Sequence, residues 1–170
     1  MKSFLLAIWE VLEVVLVAVV TVFLIRNFLM QPFLVSGASM EPNFNSGNYL
    51  IIDEITYRLR PPKRGEVIVF KYPDNPSIYY IKRIVGLPGE KIDIRSGAVT
   101  LFNSEMPQGF ALKEDYLSSG LRTSGIVAKT LNEGEYFVLG DNRNYSYDSR
   151  SWGKLDKKYI VGIARFACFL

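Results

Sequence analysis

The first long signal along the chain is an almost unbroken apolar stretch, Phe4 to Ile25, FLLAIWEVLEVVLVAVVTVFLI, 22 residues interrupted only by Glu10, Glu13 and Thr21. That length suits a single helix crossing a bilayer. The apolar residues surround such a helix instead of forming the one stripe of a surface helix. Glu10 and Glu13 lie at i, i+3 on one face. An acidic residue near mid-bilayer costs roughly 2.5 to 3.5 kcal/mol, which the uninterrupted run from Val14 to Ile25 has to offset. An interfacial helix is one alternative. A cleavable leader, with Ser36-Gly37-Ala38 as a small-x-small cut site, is another. Arg26, Asn27, Gln31 and Pro32 separate that triplet from the apolar run and favour a retained anchor. Lys2 on one side faces Arg26 on the other, so charge leaves the orientation open.

From Tyr49 the pattern changes to short runs rich in β-branched and aromatic residues, bounded by Gly, Pro, Asn or Asp: YLIID, EVIVFKY, YYIKRIVGL, EKIDIRSGAVTLFN, EYFVLGDN and YIVGIARFACF. Each predicts a strand. RSGA between Ile92-Asp93-Ile94 and Val99-Thr100-Leu101 predicts a tight hairpin. The expected fold is therefore mostly β, an antiparallel sheet domain over residues 31–170 behind one N-terminal transmembrane helix within residues 1–30. Residues from about 103 to 132, broken by Gly109, Ser118-Ser119-Gly120 and Ser124-Gly125, are expected to form an insertion or long loops.

Composition narrows the chemistry. A chain of 170 residues holds one core of useful size. Its net charge of +3 is spread without a basic block, so nucleic acid is not indicated. The chain has no histidine, which removes a Ser-His-Asp triad and every histidine-bearing metal site. Its one cysteine, Cys168, cannot form an internal disulfide and reads as an apolar residue at a strand end. A serine nucleophile here needs a lysine amine, a carboxylate or an N-terminal amine as activator.

Ser39 lies in LVSGASMEPNF, soon after the apolar run. Among the lysines, Lys82 stands amid an apolar β run, IYYIKRIVG. Alternation puts Tyr80, Lys82 and Ile84 on one face and Tyr79, Ile81 and Arg83 on the other. A lysine base must be desolvated, because at its ordinary pKa only a few tenths of a percent of the amine is neutral near pH 8. The plain alternative is an edge-strand lysine extended to water. A third stretch, GDNRNYSYDSRSWG, gathers Asp141, Asn142, Arg143, Ser146, Asp148, Ser149 and Arg150 at a strand end. It suits either a rigid polar network or a solvated turn.

Taken in order, SGASMEP, RGEVIVFKYP, YIKRIVGLPGE and GDNRNYSYDSRSWG behind an apolar segment resemble the bacterial type I signal peptidases. The resemblance runs from the apolar segment through Phe166 and is looser between about Phe102 and Leu131. It implies a membrane-bound serine endopeptidase of signal peptidase or LexA-like β fold that removes signal peptides from exported preproteins after small residues. It implies Ser39 as nucleophile, Lys82 as general base and Ser146 as the hydroxyl that hydrogen-bonds and orients the lysine. Asp148 with Arg150, and Asp141 with Arg83, match supporting ion pairs, and Met40 and Pro42 match residues shaping the nucleophile loop. Gly37 stands where one branch of the family has a Ser or Thr hydroxyl in the oxyanion hole, so backbone amides, including that of Ser39, become the expected donors. Ser36 supplies a hydroxyl only after local rearrangement. Asn43 stands where Thr is common, and Tyr145 where Asn is common.

The resemblance also implies no cofactor and no metal. The implied partners are signal peptides, the lipid bilayer and the secretion translocon. The implied place is the bacterial cytoplasmic membrane, single-pass, with the catalytic domain on the outer face. Phe28, Leu29, Met30 and Phe33 are then expected to reach the membrane interface. Two other function classes remain: a LexA-type self-cleaving Ser-Lys peptidase, which would carry a helix-turn-helix in place of the apolar run, and a membrane-tethered β module that binds peptides without cutting them.

Overall fold

The computed structural model describes the backbone of residues 2–28 and 31–168, and the side chains of residues 8–23 and 33–165. The apolar N-terminal stretch forms one helix, α1 (Lys2–Phe28). Its large apolar side chains from Ile8 to Phe23 all face outward, Trp9 at 68% exposure and Val14 at 69%. Among the described residues no helix is long and apolar enough to cross a membrane. The expected span from Phe4 to Ile25 extends past the described side chains at both ends.

The rest is antiparallel β structure, as the alternation predicts. The strands are β1 (Gln31–Leu34), β2 (Tyr49–Asp53), β3 (Val67–Tyr72), β4 (Asn75–Gly86), β5 (Lys91–Arg95), β6 (Ala98–Phe102), β7 (Phe110–Ala111), β8 (Val127–Thr130), β9 (Glu135–Leu139), β10 (Leu155–Asp156) and β11 (Ile160–Cys168). Two short helices, α2 (Thr56–Leu59) and α3 (Ser149–Trp152), and a 3-10 turn at Lys157–Tyr159 complete the order. A seven-stranded sheet runs β1-β2-β11-β3-β4-β9-β10, and a four-stranded sheet runs β7-β6-β5-β8.

The larger sheet is covered on both faces, and β3 shows why a nearly continuous apolar run was needed. Val67 and Val69 point into a cluster with Val35, Met40, Leu50 and Ile52. Ile68 and Phe70 point the other way, to Ile84, Tyr136, Val138 and Leu155. The smaller sheet buries Ile92, Ile94, Val99, Leu101 and Val127 against Val85, Phe137 and Leu139 of the larger one. The chain passes between the sheets at Gly86, where a Cβ would strike Leu131 and Phe137. That close approach explains the glycine that ends the Lys82 strand.

The expected hairpin forms between β5 and β6. Ser96 (φ 51°) and Gly97 (φ 86°) occupy its turn, the left-handed pair that such two-residue loops require. The stretch expected as an insertion contributes β7 and β8, which flank β6 and β5. Phe33 is partly buried, its ring tilted 53° against that of Tyr79 with centroids 5.3 Å apart. Leu29, Met30 and the Phe28 side chain lie outside the described residues, as does the Cys168 side chain.

Candidate active site

Three segments far apart in sequence meet at one end of the larger sheet: the turn that carries Ser39, the middle of β4, and the loop from Gly140 to Asp148 after β9. Met40 is 1% exposed and plugs into the apolar cluster under β2 and β3, which pins the residue after Ser39. The next loop holds the serine's backbone, since Asn142 N donates to Ser39 O (3.0 Å) and Asn142 Nδ2 donates to Ala38 O (3.0 Å). Gly140 lies so close beneath that a Cβ would overlap Ser39 O and Ser146 Oγ. Glycine there is a packing requirement.

Lys82 is 3% exposed, and its Nζ lies 2.7 Å from Ser39 Oγ. The amine also donates to its neighbour's carbonyl, Ile81 O, at 2.8 Å. Strand alternation holds, with Lys82 opposite Ile68 in the β3 register and Tyr80 and Ile84 on the same apolar face. Burial drives the amine's pKa down from 10.5 to about 8, against the opposing pull of Asp148 and Asp141. Desolvation wins because both carboxylates are already engaged by arginines.

Those carboxylates are wholly buried. Arg83 grips Asp141 through Nε (2.8 Å) and Nη2 (2.6 Å), and Arg150 grips Asp148 through Nε (2.8 Å) and Nη2 (2.8 Å). Two-pronged pairs of this kind fix direction as well as charge. Asp148 also accepts from Gly140 N at 3.0 Å, which ties the ion pair to the glycine under the dyad.

Ser146 departs from its expected part. Its Oγ is buried and makes no hydrogen bond, while the bonds of the Lys82 amine go to Ser39 and to Ile81 O. Ser146 Oγ lies against Gly140, in the space that a Cβ on that glycine would take. Gly37 adopts φ 101°, a conformation that disfavours side chains, and its N–H points at Ser46 Oγ, 3.4 Å away. Ser36 is exposed beside it, and Pro42 is exposed one turn beyond Ser39.

Ser39 and Lys82 line a cavity of about 320 Å³, walled by Val35, Leu50, Val69 and Ile81 and rimmed by Tyr79, Tyr145 and Tyr147. Tyr145, the residue that departs from the family pattern, is 77% exposed on that rim. Sequence reasoning missed Glu114, Tyr116 and Thr123. They reach the buried Arg143 from the irregular stretch: Arg143 Nη2 pairs with Glu114 at 2.6 Å and Nη1 with Thr123 Oγ1. No local pattern announces such contacts; only the paired sheets bring them together.

A hydroxyl within hydrogen-bond reach of a buried amine whose pKa burial lowers to about 8, beside an apolar cavity, is the constellation of a serine hydrolase that uses lysine as its base. The family model described as signal peptidase, peptidase S26, matches residues 8–169. The chain is 32% identical to the signal peptidase I of Bacillus licheniformis over 96% of this chain and 89% of that one. It is 36% identical to a probable signal peptidase I-2 of Synechocystis over 91% of this chain and 70% of that one. A crystal structure of a signal peptidase I from Enterococcus faecalis V583 superimposes with a TM-score of 0.52 at 30% identity, covering 62% of this chain and 98% of that one. The chain belongs to the signal peptidase family, peptidase S26.

Proposed function

We propose that this chain removes signal peptides from exported preproteins by cutting after small side chains of the Ala-x-Ala type, with Ser39 and Lys82 as its reacting pair. The observation that carries this reading is the 2.7 Å contact between Ser39 Oγ and an amine buried enough to be half neutral near pH 8. Neutral Lys82 takes the Ser39 proton as Oγ attacks the scissile carbonyl. The resulting ammonium gives that proton to the leaving amine. Water activated by the again-neutral Lys82 then hydrolyses the acyl-serine. The short apolar walls near Ser39, Val35 and Leu50 among them, suit small side chains.

Asp141 with Arg83 and Asp148 with Arg150 hold the lysine's surroundings neutral as pairs. Ser146 and Gly140 set the floor beneath the serine, and Met40 and Pro42 shape its turn. Gly37 leaves backbone N–H groups, that of Ser39 included, as oxyanion donors.

The apolar side chains of α1, exposed on every side from Ile8 to Phe23, need a non-aqueous partner, and a bilayer supplies one. The chain is then single-pass in the bacterial cytoplasmic membrane, with residues 31–170 on the outer face next to the translocon. Tethering raises the effective concentration of emerging signal peptides at the site. The test is cleavage of a preprotein with an Ala-x-Ala site by the detergent-solubilised chain, followed by sequencing of the product's new N-terminus. Cutting after that site, abolished in Ser39→Ala, supports the reading. Cutting that survives Ser39→Ala overturns it.

A further inference from the structure

The stretch expected as an insertion or long loops reaches residues that flank the reacting pair. Tyr116 lies between β7 and β8, and its ring covers the Arg83 guanidinium at 4.1 Å. Its carbonyl accepts from Asn43 Nδ2 at 2.9 Å, and the same amide nitrogen donates to Asp141 Oδ2 at 2.8 Å. Asn43 sits four residues after Ser39, so its amide links the nucleophile turn, the buried Asp141 and Tyr116. The other side of Tyr116 is fixed too. Its hydroxyl donates to Glu114 Oε1 at 2.8 Å, and that carboxylate holds the buried Arg143.

We propose that Tyr116 is a positioning residue for the cleavage reaction: its ring on Arg83 and its carbonyl on Asn43 lock the Ser39 turn, Asp141 and the Lys82 strand into one unit. This rests on the reading of Ser39 and Lys82 as nucleophile and base. Arg83 has its remaining prong on Gly65 O (2.8 Å), so the ring seals the open face of a guanidinium whose edges are already committed. Stacking of this kind strengthens as water is excluded. Without the ring, water reaches Arg83 and competes for its hold on Asp141. Asp141 precedes Asn142, which holds the carbonyls of Ala38 and Ser39, so a shift there displaces the nucleophile.

The electrostatic consequence has a definite sign. The charged groups facing the Lys82 amine are Asp148 and Asp141, each in an arginine's grip, and the neutral rings near it are Tyr80 at 5.3 Å on its own strand and Tyr145 and Tyr147 on the cavity rim. An Asp141 less fully neutralised by Arg83 favours the protonated amine, and the acidic limb of the rate profile moves to higher pH. Tyr116 does not line the cavity, so substrate binding stays nearly as it was.

The experiment measures kcat and KM on a preprotein from pH 6 to 10 for the full chain in detergent, as wild type, Tyr116→Phe, Tyr116→Leu, Asn43→Ala and Ser39→Ala, with a thermal unfolding midpoint for each. Tyr116→Leu is expected to lower kcat about tenfold with KM within twofold and to raise the acidic limb by about half a pH unit. Tyr116→Phe, which keeps the ring and loses only the hydroxyl, is expected to restore kcat to within about threefold and to leave the limb in place. Should Tyr116→Leu fail to fold, Asn43→Ala, which removes the amide bonds to Tyr116 O and Asp141 and leaves the ring on Arg83, is expected to lower kcat at unchanged KM. Wild-type kcat and limb in Tyr116→Leu, equal damage in Tyr116→Phe and Tyr116→Leu, or a loss confined to KM overturns the assignment. If Ser39→Ala cleaves as wild type does, the Ser-Lys reading itself fails. If Ser39→Ala is dead and the Tyr116 and Asn43 variants are indifferent, only the role of Tyr116 falls.

Discussion

Two parts of this molecule are equally closed to water and filled in opposite ways. Under the four-stranded sheet, Ile92, Ile94, Val99, Leu101, Phe137 and Leu139 form an aliphatic and aromatic core, with the Arg64–Glu90 pair at its border. Behind Ser39, the same degree of burial encloses Lys82, Asp141, Arg143 and Asp148. Apolar burial stabilises the fold directly, whereas buried charge is tolerated only when it is paired and hydrogen-bonded. The second region therefore adds little stability of its own. Its effect is to leave one amine as the group without a carboxylate partner, so that burial lowers that amine's pKa while its charged neighbours cancel in pairs.

Four outcomes sharpen or break this contrast, from largest to smallest. Lys82→Met is expected to reduce kcat/KM by about 10⁴-fold or more, since among the described residues lining the cavity Lys82 is the one amine; a steady-state assay on a preprotein checks it. Asp148→Ala leaves Arg150 buried without its carboxylate and is expected to cost about 3 to 5 kcal/mol in urea unfolding, with activity lost as well. Leu101→Ala, in the other region, is expected to cost about 3 kcal/mol while kcat and its pH profile stay near wild type at permissive temperature. A Leu101 variant that shifted the pH limb would erase the distinction between the two regions.

The smallest effect runs in the opposite direction. The folded-state pKa of Lys82, about 8, lies below its ordinary 10.5, so the folded chain binds fewer protons than the unfolded chain between those values. Wild-type stability therefore rises with pH across that window, and the penalty for burying the amine is complete below about pH 8. Lys82→Met removes the penalty and is expected to stabilise the inactive protein by at most about 3 kcal/mol at pH 7, with the gain fading as pH approaches 10.5. Denaturant unfolding of both forms at pH 7 and pH 10 measures it.

How far the sequence carried can be seen residue by residue. The runs that became β2, β3, β4, β5, β6, β9 and β11 were legible because period-two patterning with β-branched residues is a local property. The face of Lys82 and the turn at Ser96-Gly97 were legible for the same reason. β1, β7, β8 and β10 were not, because two to four residues cannot display a period and exist as strands only through their partners. The juxtaposition of Ser39 and Lys82 came from family resemblance, since 43 residues of separation carry no geometric information. The Ser146 hydrogen bond expected from the same source is absent: Ser146 Oγ is buried without a partner, and the Lys82 amine contacts Ser39 Oγ and Ile81 O. Tyr116 was invisible: its partners Arg83, Asn43 and Glu114 come from three separate segments.

The measurement that bears most directly on the central claim is kcat/KM of the full-length wild type on a preprotein substrate from pH 6 to 10, which reports the base in the free enzyme. With Lys82 as a desolvated base, kcat/KM should rise tenfold per pH unit at low pH and level off through an apparent pKa near 8. A rate still climbing at pH 10, as an ordinary lysine would give, or a rate flat from pH 6 upward, would contradict the assignment of burial as the force that makes this serine reactive.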